Sequence, residues 1–155
     1  MAEDFFNINP DVPPEESLSD RCKKERKQWN DTVDNMSVLL KEVKDIPLLM
    51  VDLYSERQRA AEYYHYIISI LIPINRQYNA QYNERYDFYT LKSQIRYPNE
   101  TTKNSRIFQE LADIIERREI LNNHAKFMLQ TVSSIDAIIY AVNNRIKYEE
   151  IKIGK

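Results

Sequence analysis

Residues 107–146 read IFQELADIIERREILNNHAKFMLQTVSSIDAIIYAVNNRI, and their apolar residues fall at alternating steps of four and three. Ile107, Leu111, Ile114, Arg118, Leu121, Ala125, Met128, Val132, Ile135, Ile139, Val142 and Ile146 form the series, broken by one polar member, Arg118. No proline or glycine stands between Asn99 and Ile153. At 1.5 Å per residue the stretch therefore predicts a helix about 60 Å long, with an apolar seam repeating every seven residues. A seam kept for that many heptads is the pattern of helix packed on helix. A rod of this length exceeds what one small domain covers, so the expectation is that the seam joins subunits, through Leu121, Met128, Val132, Ile135, Ile139 and Val142. Arg118, Ser133, Ser134 and Asp136, on or beside it, would fix register or subunit number.

The rest of the chain agrees with an all-α class. It has 155 residues and a single glycine, Gly154, whereas sheets with tight turns consume glycine. Trp29, Val33, Met36, Leu40 and Val43 repeat at helical spacing, with Ser17 or Ser19 as cap and Ile46-Pro47 as the stop near Asp45. A second helix starts at Pro47 and passes through Leu49, Leu53, Ala60 and Ile67 to Pro73, where a kink or break is expected. A third segment covers about Ile74 to Tyr97. A loop then runs to Asn104 or Ser105, the expected cap of the terminal helix. The predicted organisation is an acidic, flexible arm (1–16), a kinked helical part carrying the functional surface (17–103) and the terminal helix (104–155).

The net charge of −2 conceals local asymmetry. Residues 1–20 hold six acids and no base, while Arg21, Lys23, Lys24, Arg26 and Lys27 surround the lone acid Glu25. Cys22, the only cysteine, permits no internal disulfide and fits a reducing cytoplasm. No signal peptide or membrane-length apolar run is present. The absence of a glycine-rich phosphate loop removes P-loop and Rossmann enzymes. Glu62-Tyr63-Tyr64-His65 has the Glu-x-x-His spacing of a di-iron bundle but lacks the second copy such a site needs. No cofactor and no catalysis are expected.

The strongest functional pattern lies on the third segment. Tyr78, Tyr82, Arg85, Tyr89, Lys92 and Arg96 recur at intervals of four and three, which sets all six on one stripe. Single-stranded nucleic acid is held by cations that follow its phosphates and by flat rings on which bases stack, worth about 1–3 kcal/mol per base. The stripe supplies both. The competing reading is packing: tyrosine is amphipathic and arginine snorkels, so the same stripe suits a helix half-covered by a neighbour.

The segment Tyr82-Asn83-Glu84-Arg85-Tyr86-Asp87-Phe88-Tyr89 resembles the motif of the UvsY-type recombination mediators of tailed phages. Arg85, Asp87, Phe88 and Tyr89 match, and Asn83 stands where that family has a lysine. Asp113-Ile114-Ile115, Leu121-Asn122-Asn123-His124 and Ser134 to Ile138 are similar in order and spacing, with His124 in place of a typical aromatic; the similarity spans about 80–146. The resemblance implies a non-catalytic protein of the host cytoplasm that forms ring-like homo-oligomers through its terminal helix. Such a protein binds single-stranded DNA and loads a RecA-like recombinase onto DNA covered by a single-strand-binding protein. Arg85, Phe88 and Tyr89 would be the implied DNA contacts; Tyr78, Tyr82, Lys92 and Arg96 join them from the stripe alone. A purely structural coiled-coil oligomer, such as a phage assembly or scaffold component, is the alternative.

Overall fold

The computed structural model describes residues 16–42 and 46–154. The acidic arm, 1–15, and the expected first-helix end at 43–45 lie outside them. Among the described residues all regular structure is helical: α1 (Leu18–Glu42), α2 (Ile46–Asp87), a π-type turn (Phe88–Lys92), α3 (Glu100–Glu110) and α4 (Ala112–Ile153). Ser17 starts α1, its hydroxyl oxygen accepting the Asp20 backbone N–H at 3.1 Å, which satisfies one donor of the open first turn.

The helices fold into two compact units, one of residues up to Tyr66 and from His124 onward, the other Ile67–Asn123. The first is a three-helix bundle whose register is fixed by side-chain pairs. Trp29 meets Arg59 and Glu25 meets Tyr63, so α1 and the first half of α2 are antiparallel. Arg26 lies against Phe127, and Arg145 Nη1 donates to the Leu40 carbonyl at 2.6 Å, so α4 runs parallel to α1. Arg57 and Asp136 pair α2 with α4, Nε to Oδ1 at 2.5 Å. The core is drawn from one stripe of each helix: Cys22, Trp29 and Met36; Leu49, Leu53 and Ala60; Met128, Ile135 and Val142.

In the second unit the later part of α2 lies antiparallel to α3 and the start of α4. Tyr82 faces Asn104, Tyr86 faces Glu100, and Asn75 faces Arg118. Leu71, Ile74, Ile107, Leu111 and Leu121 are buried there.

Several expectations are corrected by this architecture. α2 does not break at Pro73, which sits inside it. A helical proline forfeits one hydrogen bond, and the buried neighbours Leu71 and Ile74 hold the helix together across it. The terminal helix does not begin at 104: Asn99 caps α3, its side chain accepting the Thr102 N–H at 2.8 Å, and Leu111 interrupts the helix before α4. The division at 103/104 is likewise not that of the structure, whose units exchange at Tyr66/Ile67 and Asn123/His124.

The larger correction concerns the seam. Leu121, Met128 and Ile135 are 0 % exposed, Val142 1 % and Ile139 8 %, with Val132 half-buried, all within a single chain. These six side chains, expected to meet other subunits, already have cover within the chain, because α4 is covered in two instalments. Its start is covered within one helical unit and its remainder by α1 and α2 in the other. Arg118 and Asp136, expected to serve subunit register, pair internally with Asn75 and Arg57.

Candidate functional site

The end of α2 and the turn that follows carry the residues singled out for DNA. α2 ends when the backbone widens into the π-type turn, in which the Ser93 N–H reaches back to the Phe88 carbonyl at 2.8 Å. Lys103 of α3 secures this turn. Its ammonium donates to Thr90 Oγ1 at 3.1 Å and Glu100 Oε1 at 2.8 Å, and lies 3.9 Å from the Tyr86 ring centroid. The Glu100 contact, above all, holds the Lys103 ammonium more firmly protonated than usual. Irregular, non-helical backbone at 93–99 then replaces the helix expected as far as Tyr97, so Arg96 is not on the helical stripe.

The stripe divides into two groups. Tyr78, Tyr82 and Tyr89 are engaged within the chain. The Arg118 guanidinium covers the Tyr78 ring at 4.0 Å from its centroid. The Tyr82 ring stacks near Phe108, centroids 6.1 Å apart, and its hydroxyl donates to Asn104 Oδ1 at 2.9 Å. The Tyr89 hydroxyl donates to Glu110, which raises its pKa, and its ring meets Tyr97 edge-on. These three rings are thus half-buried and engaged within the chain: Tyr78 against α4, Tyr82 and Tyr89 against α3. Tyrosine at helical spacing serves packing and base stacking equally, and here each ring already has a packing partner.

Arg85, Phe88, Lys92 and Arg96 form the second group and are exposed. Arg85 Nε lies 3.3 Å from Glu110 Oε2, and Glu110 also receives Arg106 Nε at 3.1 Å. One carboxylate thus gathers two guanidinium groups and a phenol at the root of the turn. Phe88 is 41 % exposed, and Leu91 and Ile95 stand still further out. The exposed tip thus carries Arg85, Lys92 and Arg96 beside apolar side chains, with the acids Glu84 and Asp87 also exposed on the last turn of α2, and is held from behind by Lys103 and Glu110. Its chemistry suits an anionic polymer that also offers flat, poorly hydrated faces.

No protein-family model matches this chain, and no curated protein or solved structure is significantly similar to it.

A second cluster joins residues that stand far apart in the sequence. Glu25 Oε2 accepts from the Tyr63 hydroxyl and lies 3.0 Å from His124 Nε2, and the imidazole is 0 % exposed. Burial, followed by the Glu25 hydrogen bond, pushes the Tyr63 phenol far up. Glu25 reads in sequence as a stray acid among bases. His124 was the better signal, since Leu121, His124, Ala125 and Met128 follow one buried helix stripe. The other histidine, His65, is exposed beside Tyr64, and among the described residues no three His, Cys, Asp or Glu side chains gather as metal ligands.

Proposed function

We propose that this protein is a non-catalytic, self-associating binder of single-stranded DNA that grips the strand with the tip at the end of α2. Arg85, Lys92 and Arg96 pair with phosphates, and Phe88 offers a face to a base. The observation that carries the reading is the exposure of these four residues on and around a turn braced by Lys103 and Glu110. Tyr78, Tyr82 and Tyr89 act indirectly, by holding α2 and the turn against α3 and the start of α4. The resemblance to UvsY-type mediators extends the proposal: the bound strand would be presented to a RecA-like recombinase in competition with a single-strand-binding protein.

One tip offers a few cations and binds weakly. Several copies on a homo-oligomer, a ring in the mediator reading, multiply affinity through effective concentration without further interactions. With the seam consumed inside the chain, subunit association is assigned to the outward side of α4, where Leu129, Tyr140 and Ile151 are exposed at eleven-residue intervals. Eleven residues make three turns, so these side chains share one stripe.

Fluorescence anisotropy of labelled oligo-dT tests the reading. Binding is expected to weaken as salt rises, and the combined Arg85→Ala, Lys92→Ala and Arg96→Ala change should flatten the log–log slope by about 0.7 for each phosphate that the variant leaves unneutralised. Tyr82→Phe, which removes only the hydroxyl bonded to Asn104, should leave the slope unchanged. Failure to bind at low salt would favour the second reading, a structural helical oligomer such as a phage assembly component. The internal engagement of the three tyrosines speaks for that alternative.

A further inference from the structure

Away from the tip, in the three-helix unit, α1 and α2 enclose a groove of about 430 Å³. Its α1 wall comes from Glu25, Gln28 and Trp29, and its α2 wall from Arg59, Glu62, Tyr63 and Tyr66. The spacing explains the construction: i, i+3 and i+4 on one helix face i, i+3, i+4 and i+7 on the other, two adjacent helical faces meeting along a single line. Three of these seven side chains are aromatic. Trp29 is 7 % exposed, so its ring is a fixed floor, and the Tyr63 and Tyr66 ring centroids lie 6.2 Å apart as a side wall. Two of the remaining four are carboxylates.

An aromatic floor with carboxylates at its edge attracts cations, because the negative face of each ring and the carboxylate charge act together. The groove already shows this selectivity toward a side chain of its own chain. The Arg59 guanidinium carbon lies 4.8 Å from the Trp29 ring centroid, with Nη1 3.2 Å from Glu56 Oε1. Arg59 is nonetheless largely solvent-exposed, with 59 % of its side-chain surface accessible, so it is a displaceable occupant. Of the two carboxylates that line the groove, Glu25 accepts from Tyr63 and lies against His124, whereas Glu62, which accepts from Gln58 Nε2 at 2.8 Å, is exposed at the rim and open to a further cation.

We infer that the groove is a binding site for a small organic cation of the alkylammonium or guanidinium class, which displaces Arg59 from Trp29 and is bordered by Glu62. Trp29 is the sole tryptophan, so its fluorescence reports the site alone. Choline and agmatine are the probes, and 3,3-dimethylbutanol is the neutral counterpart of choline. Both cations should shift Trp29 emission saturably, and the choline methyl protons should move upfield as they enter the ring currents. Arg59→Ala, which removes the competing cation, should tighten binding by up to about tenfold, the range of one cation–π contact. Glu62→Gln should weaken it several-fold. Both substitutions are at exposed positions, so circular dichroism should remain that of the wild type. Equal response to dimethylbutanol, absence of saturation up to about 50 mM choline, or weaker cation binding in Arg59→Ala would each overturn the assignment. Saturation by a mononucleotide instead of the amines would overturn it too, marking Arg59 as an anion contact.

Discussion

Cys22 shows how a core position alters the chemistry of one side chain. Its thiol is buried on α1 beside Glu25, and burial followed by that carboxylate pushes its pKa up to about 11. The thiolate is the reactive form, so a thiol held neutral and enclosed is doubly protected. At pH 8 the native protein should consume disulfide reagent over hours, and the denatured protein within seconds to minutes; rapid native labelling would show that α1 opens. The raised pKa also fixes the sign of a pH effect. The native state retains its proton where the unfolded thiol has lost it, so this contribution is complete below pH 9 and declines toward pH 11. A sequence read residue by residue shows that Cys22 cannot form an internal disulfide, but not that it is core. The core position follows from its seven-residue spacing to Trp29 and Met36, which carries the α1 stripe one heptad further back than Trp29. Glu25 was illegible for a different reason: its partners Tyr63 and His124 are remote in the chain, and a carboxylate's role is set by what folding brings to it.

At the scale of elements, boundaries were harder to read than helices. The heptad spacing identified α4 and its buried face correctly, yet the start of α3 was displaced by about one turn because Asn104 and Ser105 are cap-forming residues too. Asn99 prevails since its side chain accepts from both the Thr102 N–H at 2.8 Å and the Thr102 hydroxyl at 3.0 Å. Asn99→Ala should cost about 1 kcal/mol in denaturant unfolding. If α3 instead began where the sequence suggested, Asn104→Ala would be the more damaging capping change; as it stands, Asn104 matters through the Tyr82 hydroxyl. The π-type turn left no signal in composition, because nothing between Phe88 and Lys92 discourages an ordinary helix. Its bracing comes from Lys103 and Glu110, donated by a different element, and the candidate tip inherits its shape from that bracing.

At the scale of the whole molecule, periodicity specifies that a stripe will be covered without specifying what covers it. The α4 seam is equally suited to a neighbouring subunit and to its own chain's helices, and this chain completes it internally. Self-association, if it occurs as proposed, therefore depends on side chains that the fold leaves outside. The two surfaces make opposite predictions. Ile135→Asp places a carboxylate in a position that is 0 % exposed, at a cost of several kcal/mol against a typical domain stability of about 5–15 kcal/mol. It should abolish the cooperative thermal transition rather than yield a folded monomer. Tyr140→Glu changes a side chain that is 70 % exposed and should preserve the circular dichroism spectrum. In size-exclusion chromatography with light scattering, the wild type should exceed 18.6 kDa and Tyr140→Glu should return to that mass, with weaker oligo-dT binding as avidity disappears. A wild type already at 18.6 kDa would remove avidity from the proposed mechanism, whereas a folded, monomeric Ile135→Asp protein would restore the seam as the subunit interface.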